Sequence, residues 1–273
     1  MENKIPKVIH YCWFGGGVKS EFIKQCIGTW RAILPDYTIK EWNESNFDID
    51  ACEFTRDAYA AKKWAFVSDY ARLKILYDEG GVYMDTDVKV MKSFDEFLDY
   101  NFFSSHEIQP HFYETELPKL DSNFRPNNPD ELILGWSIHS AIMASVAGLP
   151  YLKDCMEYYQ RKSFYAADGS VDLQELIIGK HITINALKYG YRYEDTDQLL
   201  EGNMLIKRSD VFVGNMLHLN KNSYAIHLCN GSWLEDNKDW EWYLRNDHPQ
   251  AYKLASPILR VWRKIKRTFT PQK

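Results

Sequence analysis

Residues 65–88 read AFVSDYARLKILYDEGGVYMDTDV, and this stretch decides the fold. Ala65, Phe66, Tyr70, Leu73, Leu76 and Tyr77 recur at helical spacing, which predicts a helix from about Lys62 to Glu79 with Gly80 as its stop. Gly81-Val82-Tyr83-Met84 follows as a short apolar strand that runs into Asp85-Thr86-Asp87. Upstream, Lys7 to Trp13 alternates as an opening strand. Phe22, Ile23, Cys26, Ile27, Trp30, Ile33 and Leu34 mark a helix entered at Ser20 and stopped by Pro35, and Tyr37 to Trp42 alternates again. Strand, helix and strand within so short a span predict a parallel βαβ unit, hence an α/β protein.

Strand ends in such folds deliver side chains to a crevice, so Asp85 and Asp87 are the first candidates for chemistry. Read as an extended strand, residues i and i+2 share a face, and two carboxylates there suit a hard cation such as Mg²⁺ or Mn²⁺. A solvated turn bearing two unrelated acids is the plainer alternative. Asp69 and Arg72 lie three apart on the preceding helix, either as a surface salt bridge or as a pair aimed at a polar ligand. Tyr11 and Trp13 share one side of the opening strand, as core residues or as a platform for a base. His227 closes the late strand Tyr224–Cys229 ahead of Asn230-Gly231-Ser232-Trp233, where it is a structural residue or faces a metal or phosphate. His10 receives no role. Gly15-Gly16-Gly17 matches neither a dinucleotide fingerprint nor a phosphate loop.

The wider chain bounds these readings. Its 273 residues are 45% hydrophobic and 26% charged, which excludes a disordered chain and a membrane bundle. The net charge is −5, so a nucleic-acid partner is not expected. Seven basic and no acidic residues lie in 251–273, so the preceding residues carry the opposite excess, −12. The five cysteines form no C-x-x-C pair and the opening residues hold no long apolar run, which favours a reduced, cytoplasmic setting. Leu132–Leu152 lacks Asp, Glu, Lys and Arg, but its Gly, Ser, His and Pro content reads as strand, turn and helix start rather than a membrane span. Glu107–Asp130 is polar with four prolines and reads as a long loop. Leu149 to Tyr159 and Leu173 to Gly190 read as helices, and 203–214 and 223–229 as late strands.

IPKVIHYCWFGG, YTIKEWN, AFVSDYARLKILYDEGGVYMDTDV and YAIHLCNGSW occur in this order. The set resembles the bacterial and fungal glycosyltransferases with a DXD sugar-binding region (family 32-like). These include capsular-polysaccharide transferases and the yeast initiating mannosyltransferase, and are distantly similar to the clostridial glucosylating toxins. The resemblance covers parts of residues 5–90 and 220–235. It implies a GT-A fold, Rossmann-like, with a mostly parallel central sheet and helical additions, over residues 1–250. It also implies a nucleotide-sugar donor (uridine expected, guanosine the alternative), Mn²⁺ or Mg²⁺, and retention of configuration. Carried over, Asp85, Asp87 and His227 would hold the cation. Asp69, Arg72 and Asp85 would meet the donor, Tyr11 and Trp13 its base, and Ser232 and Trp233 its pyrophosphate. The acceptor would be an oligosaccharide or lipid-linked glycan in capsular, exo- or lipopolysaccharide synthesis.

The basic tail, 251–273, interleaves Ile258, Leu259, Val261, Trp262, Ile265 and Phe269 with its charges. It reads as an amphipathic segment for an anionic membrane surface, placing the protein peripherally on the inner face, or else as a solvated end. Two other functions compete. VYMDTDVKV superficially fits a haloacid-dehalogenase-like phosphatase, although that motif normally opens its chain. A non-catalytic, metal-dependent carbohydrate-binding protein is the second.

Overall fold

Strand β1 (Val8–Cys12) and strand β2 (Thr38–Trp42) pair in parallel, joined by helix α1 (Glu21–Ile33). Ser20 caps α1 by accepting from the Ile23 amide, and Ile23, Cys26, Ile27 and Trp30 form its buried face. The computed structural model describes residues 4–109, 115–128, 131, 133–172, 176–214, 216–229 and 257. Residues Met1–Cys229 form one compact unit.

Helix α2 (Glu53–Ala60) precedes α3 (Trp64–Glu79), and α3 is buried around most of its girth, from Phe66 to Leu76. It stops at Gly80, whose φ of 68° suits glycine, and strand β3 (Gly81–Met84) begins at once. Gly81 must also be glycine for space: a Cβ there would lie 2.7 Å from the Val8 carbonyl oxygen and 2.8 Å from His10 Nε2. That close approach lets β3 pair in parallel with β1. The expected helix, glycine stop and strand are therefore all present.

The remaining strands are β4 (Val88–Val90), β5 (Phe102–Ile108), β6 (Trp136–Ile138), β7 (Ile142–Ser145), β8 (Gln198–Leu200), β9 (Met204–Lys207), β10 (Phe212–Val213) and β11 (Ala225–His227). Helices α4 (Pro150–Arg161) and α5 (Ile178–Leu187) separate β7 from β8. The 8-stranded sheet runs β2-β1-β3-β7-β5-β9-β8, with β6 on β5. Pairing is parallel at β2–β1–β3 and at β5–β9, and antiparallel where β7 lies between β3 and β5. A separate 3-stranded sheet orders β10-β11-β4. The α/β class and its parallel βαβ opening stand as expected, with antiparallel pairs in the second half of the sheet.

One expected boundary is corrected. Glu107 does not open a loop; it lies in β5, which continues to Ile108. The polar letters Ser104, Ser105 and His106 concealed this strand, yet all three are fully buried. Their polar atoms are satisfied across the fold. Ser104 donates to the His139 and Ile142 carbonyls, Ser105 to the Phe212 carbonyl, and His106 Nδ1 bonds the Tyr191 hydroxyl. Leu132–Leu152 resolves into β6, β7 and the start of α4, and among the described residues no helix is long and apolar enough to cross a membrane.

Candidate active site

Asp85 follows the last residue of β3, but Asp85 to Val88 is a tight turn rather than extended chain, closed by the Val88 amide donating to the Asp85 carbonyl at 3.0 Å. The two carboxylates are therefore brought to one side by a turn, not by the two-residue period of a strand. The turn is fixed from three directions. The Asp85 amide donates to the Ala141 carbonyl, the Trp30 indole donates to the Val88 carbonyl at 2.7 Å, and the Leu228 amide donates to the Asp87 carbonyl.

His227 arrives from far along the chain because β11 pairs antiparallel with β4, setting His227 opposite Val88. Its Nε2 lies 3.2 Å from Asp87 Oδ1 and 4.0 Å from Asp85 Oδ2. The ligand atoms of Asp85, Asp87 and His227 lie within 4.8 Å of one another. Two carboxylates and an imidazole are a fitting donor set for Mn²⁺ or Mg²⁺. Burial works against protonation of His227, but Cys229 and Asp87 outweigh it and hold the imidazole well above its ordinary value.

Asp69 and Arg72 are not a surface pair: both are buried, and Arg72 is 4% exposed. The guanidinium bonds Asp69 at 2.8 Å, the Ser140 carbonyl at 2.8 Å and the Ser68 carbonyl. It also lies 3.4 and 3.5 Å from the two Asp85 oxygens and 4.6 Å from the Tyr83 ring centre, while the Tyr83 hydroxyl donates to Asp85 at 2.9 Å. Arg72 thus holds the Asp85 carboxylate from behind. Burial pushes the Asp69 carboxyl up to about 7, against the pull of Arg72.

The first-strand aromatics divide. Tyr11 is buried, edge-on to Trp30, with its hydroxyl donating to Glu41. Trp13 is half-buried beyond the strand end, donating to the Gly17 carbonyl, and Lys19 lies over both rings. Ser232, Trp233 and the basic tail lie outside the described residues, apart from Pro257.

Two residues at this end of the sheet were not among the candidates read from the sequence. His139 is fully buried between β6 and β7, its ring 5.7 Å from that of His227. Glu107 reaches the same place from β5, with ligand atoms of Glu107, His139 and His227 also within 4.8 Å. A His-Ser step interrupting an apolar run was the only mark.

Residues 20–104 match the family described as the glycosyltransferase sugar-binding region containing DXD motif. An uncharacterized glycosyltransferase of Acanthamoeba polyphaga mimivirus is 29% identical over 134 residues, covering 46% of this chain and 52% of that protein. The chain thus aligns with about half the length of that curated relative. Among solved structures, the PaToxG glycosyltransferase is 19% identical with a TM-score of 0.49, over 68% of this chain and 70% of that one. The galactosyltransferase LgtC, in complex with donor and acceptor sugar analogues, is 13% identical with a TM-score of 0.41, over 92% and 95%. The segment matched by that family, residues 20–104, contains the Asp85–Asp87 turn and the buried Asp69–Arg72 pair.

Proposed function

We propose that this chain is a cation-dependent glycosyltransferase of GT-A type. It moves a hexose from a nucleotide-sugar donor, with uridine as the expected base, onto a glycan acceptor in capsular, exo- or lipopolysaccharide synthesis. The observation that carries the reading is the convergence of Asp85, Asp87 and His227 at the carboxyl end of β3, inside and against the matched segment. Asp85, Asp87 and His227 would hold Mn²⁺ or Mg²⁺, which supplies Lewis-acid neutralisation of the charge that builds on the leaving diphosphate. Arg72 contributes by position: pinned by Asp69 and two carbonyls, it holds the Asp85 carboxylate in place before any ligand arrives. Trp13 offers a half-buried ring beyond β1 for the base, and Tyr11, buried in the same strand, would flank the base with it. Ser232 and Trp233 would close over the pyrophosphate. Retention is the outcome that the resemblance implies; the sequence singles out no nucleophilic carboxylate, so same-face attack, with the departing phosphate accepting the acceptor proton, is the route proposed.

Residues 251–273 are proposed to dock on an anionic membrane, with the acceptor lipid-linked and the protein at the cytoplasmic face. Liposome co-sedimentation with and without residues 256–273 tests this separately. The donor reading is tested by a thermal-shift screen of nucleotides and nucleotide-sugars with and without Mn²⁺. A true donor at a hundred times its Kd stabilises by about 2.7 kcal/mol. If no nucleotide raises the melting temperature in the presence of metal, the transferase reading falls.

A further inference from the structure

His139 presents an accounting problem. Its side chain is 0% exposed, and neither ring nitrogen has a hydrogen-bond partner among the described residues. The Val213 carbonyl is near the ring but outside hydrogen-bond geometry. Buried polar atoms are almost always partnered, and leaving one bare costs about 1–3 kcal/mol. The backbone at His139 is not loose: its amide donates to the Ser105 carbonyl at 2.8 Å and its carbonyl accepts from Ser104. The backbone is thus fixed, while the ring bonds nothing among the described residues.

What it faces is a donor set. The ligand atoms of His139, Glu107 and His227 lie within 4.8 Å of one another. Glu107 is directed there by β5 and given room by Gly214, where a Cβ would fall 2.6 Å from Glu107 Oε1. Two imidazoles and one carboxylate are softer than the Asp-Asp-His set beside them. They match the ligand set that favours Zn²⁺, whereas oxygen-rich sets favour Mg²⁺ and Mn²⁺.

We propose that Glu107, His139 and His227 form a second cation site, of Zn²⁺ type, adjacent to the Asp85–Asp87–His227 set. His227 belongs to both sets, so a Zn²⁺ ion here withdraws a ligand from the aspartate pair. Zn²⁺ therefore weakens Mn²⁺ binding without occupying the same carboxylates. The donor atoms close to about 3.4 Å around one ion, the spacing that bonds of about 2.1 Å in a tetrahedral array require.

The test is direct metal binding to the full chain, stripped with chelator, and needs no transferase activity. Zn²⁺ affinity is measured by competition with a chromophoric chelator, and Co²⁺ substitution supplies visible absorption bands as a second readout. Wild type is expected to bind Zn²⁺, with Glu107→Gln and His139→Phe each weakening it at least tenfold. Asp87→Asn removes the carboxylate 3.2 Å from His227 Nε2, so it is expected to lose Mn²⁺ and to weaken Zn²⁺ less than Glu107→Gln or His139→Phe does, while Glu107→Gln keeps Mn²⁺. The proposal is overturned if Glu107→Gln and His139→Phe bind Zn²⁺ as wild type does. It is equally overturned if Asp87→Asn loses Zn²⁺ as completely as they do, for then the ion sits on the aspartate pair. Failure of Mn²⁺ to bind anywhere would count against the donor reading and leave the Zn²⁺ result standing. If a variant lacks the wild-type melting transition, Gly214→Ala decides. The added Cβ would press on the Glu107 side chain, and unchanged Zn²⁺ affinity in this variant also overturns the site.

Discussion

The two ends of β3 use the same kind of residue in opposite ways. At the amino end His10 is fully buried and both ring nitrogens are bonded: Trp42 Nε1 donates to Nδ1 at 3.0 Å, and Nε2 pairs with the Gly80 carbonyl at 2.9 Å. At the carboxyl end His139 is equally buried and bonds nothing among the described residues. The first end is closed, with glycine at 81 admitting the ring and every polar atom answered. The second end gathers Asp85, Asp87, His227, Glu107 and His139, with Arg72 bonded to Asp69 and the Ser140 carbonyl behind them. Burial is therefore no guide to role. What separates the two histidines is satisfaction: His10 has a partner at each ring nitrogen, and His139 has none among the described residues.

The comparison can be broken in several ways, beginning with the largest effect. Arg72→Met removes the guanidinium that braces the Asp85 carboxylate and leaves Asp69 buried without that partner. Urea unfolding should show a loss of about 3–5 kcal/mol. A loss under about 1 kcal/mol would mean that Arg72 is not the brace described. Asp87→Ala removes a ligand from the Asp85–Asp87–His227 set, so it should lower transfer or donor hydrolysis at least about a hundredfold, or about 3 kcal/mol. Its melting temperature should stay near wild type, and activity persisting in excess chelator would count against the cation.

The pH dependence concerns the closed end. Burial lowers the His10 imidazole to about 4. Between that value and the usual 6.5 the unfolded chain binds a proton that folded His10 refuses, so stability is full above about 6.5 and declines as pH falls toward 4. The loss from His10 alone is about 3 kcal/mol, read as a drop in the denaturation midpoint. His10→Phe should flatten this slope but cost about 2 kcal/mol at pH 7.5, because the Gly80 carbonyl and Trp42 indole lose their partner. The smallest effect is the sharpest contrast: His139→Phe breaks no hydrogen bond and should change neutral-pH stability by less than about 1 kcal/mol, or raise it. Equal losses for the two histidines would erase the distinction.

Much of the fold was legible where the code is local. The apolar spacing of α1 and α3, the Ser20 cap, the glycine at 80 and the short apolar β3 are all decided by neighbours within a few residues. The second half was less legible. Ser104, Ser105 and His106 look like loop letters because their partners, at His139, Phe212 and Tyr191, lie 35 to 107 residues away. Strand β7 enters antiparallel between two parallel strands, an order that no local pattern encodes.

The sequence by itself determined the α/β opening and the position of the aspartate pair after β3. Only the tertiary structure decided that a turn rather than a strand joins Asp85 and Asp87, and that Arg72 lies buried behind them. It set His227 against the pair through β11 and β4, and left His139 without a partner among the described residues. The division has one cause: periodicity and capping are properties of a segment, whereas strand partners and hydrogen-bond satisfaction are properties of residues that meet only in the folded chain.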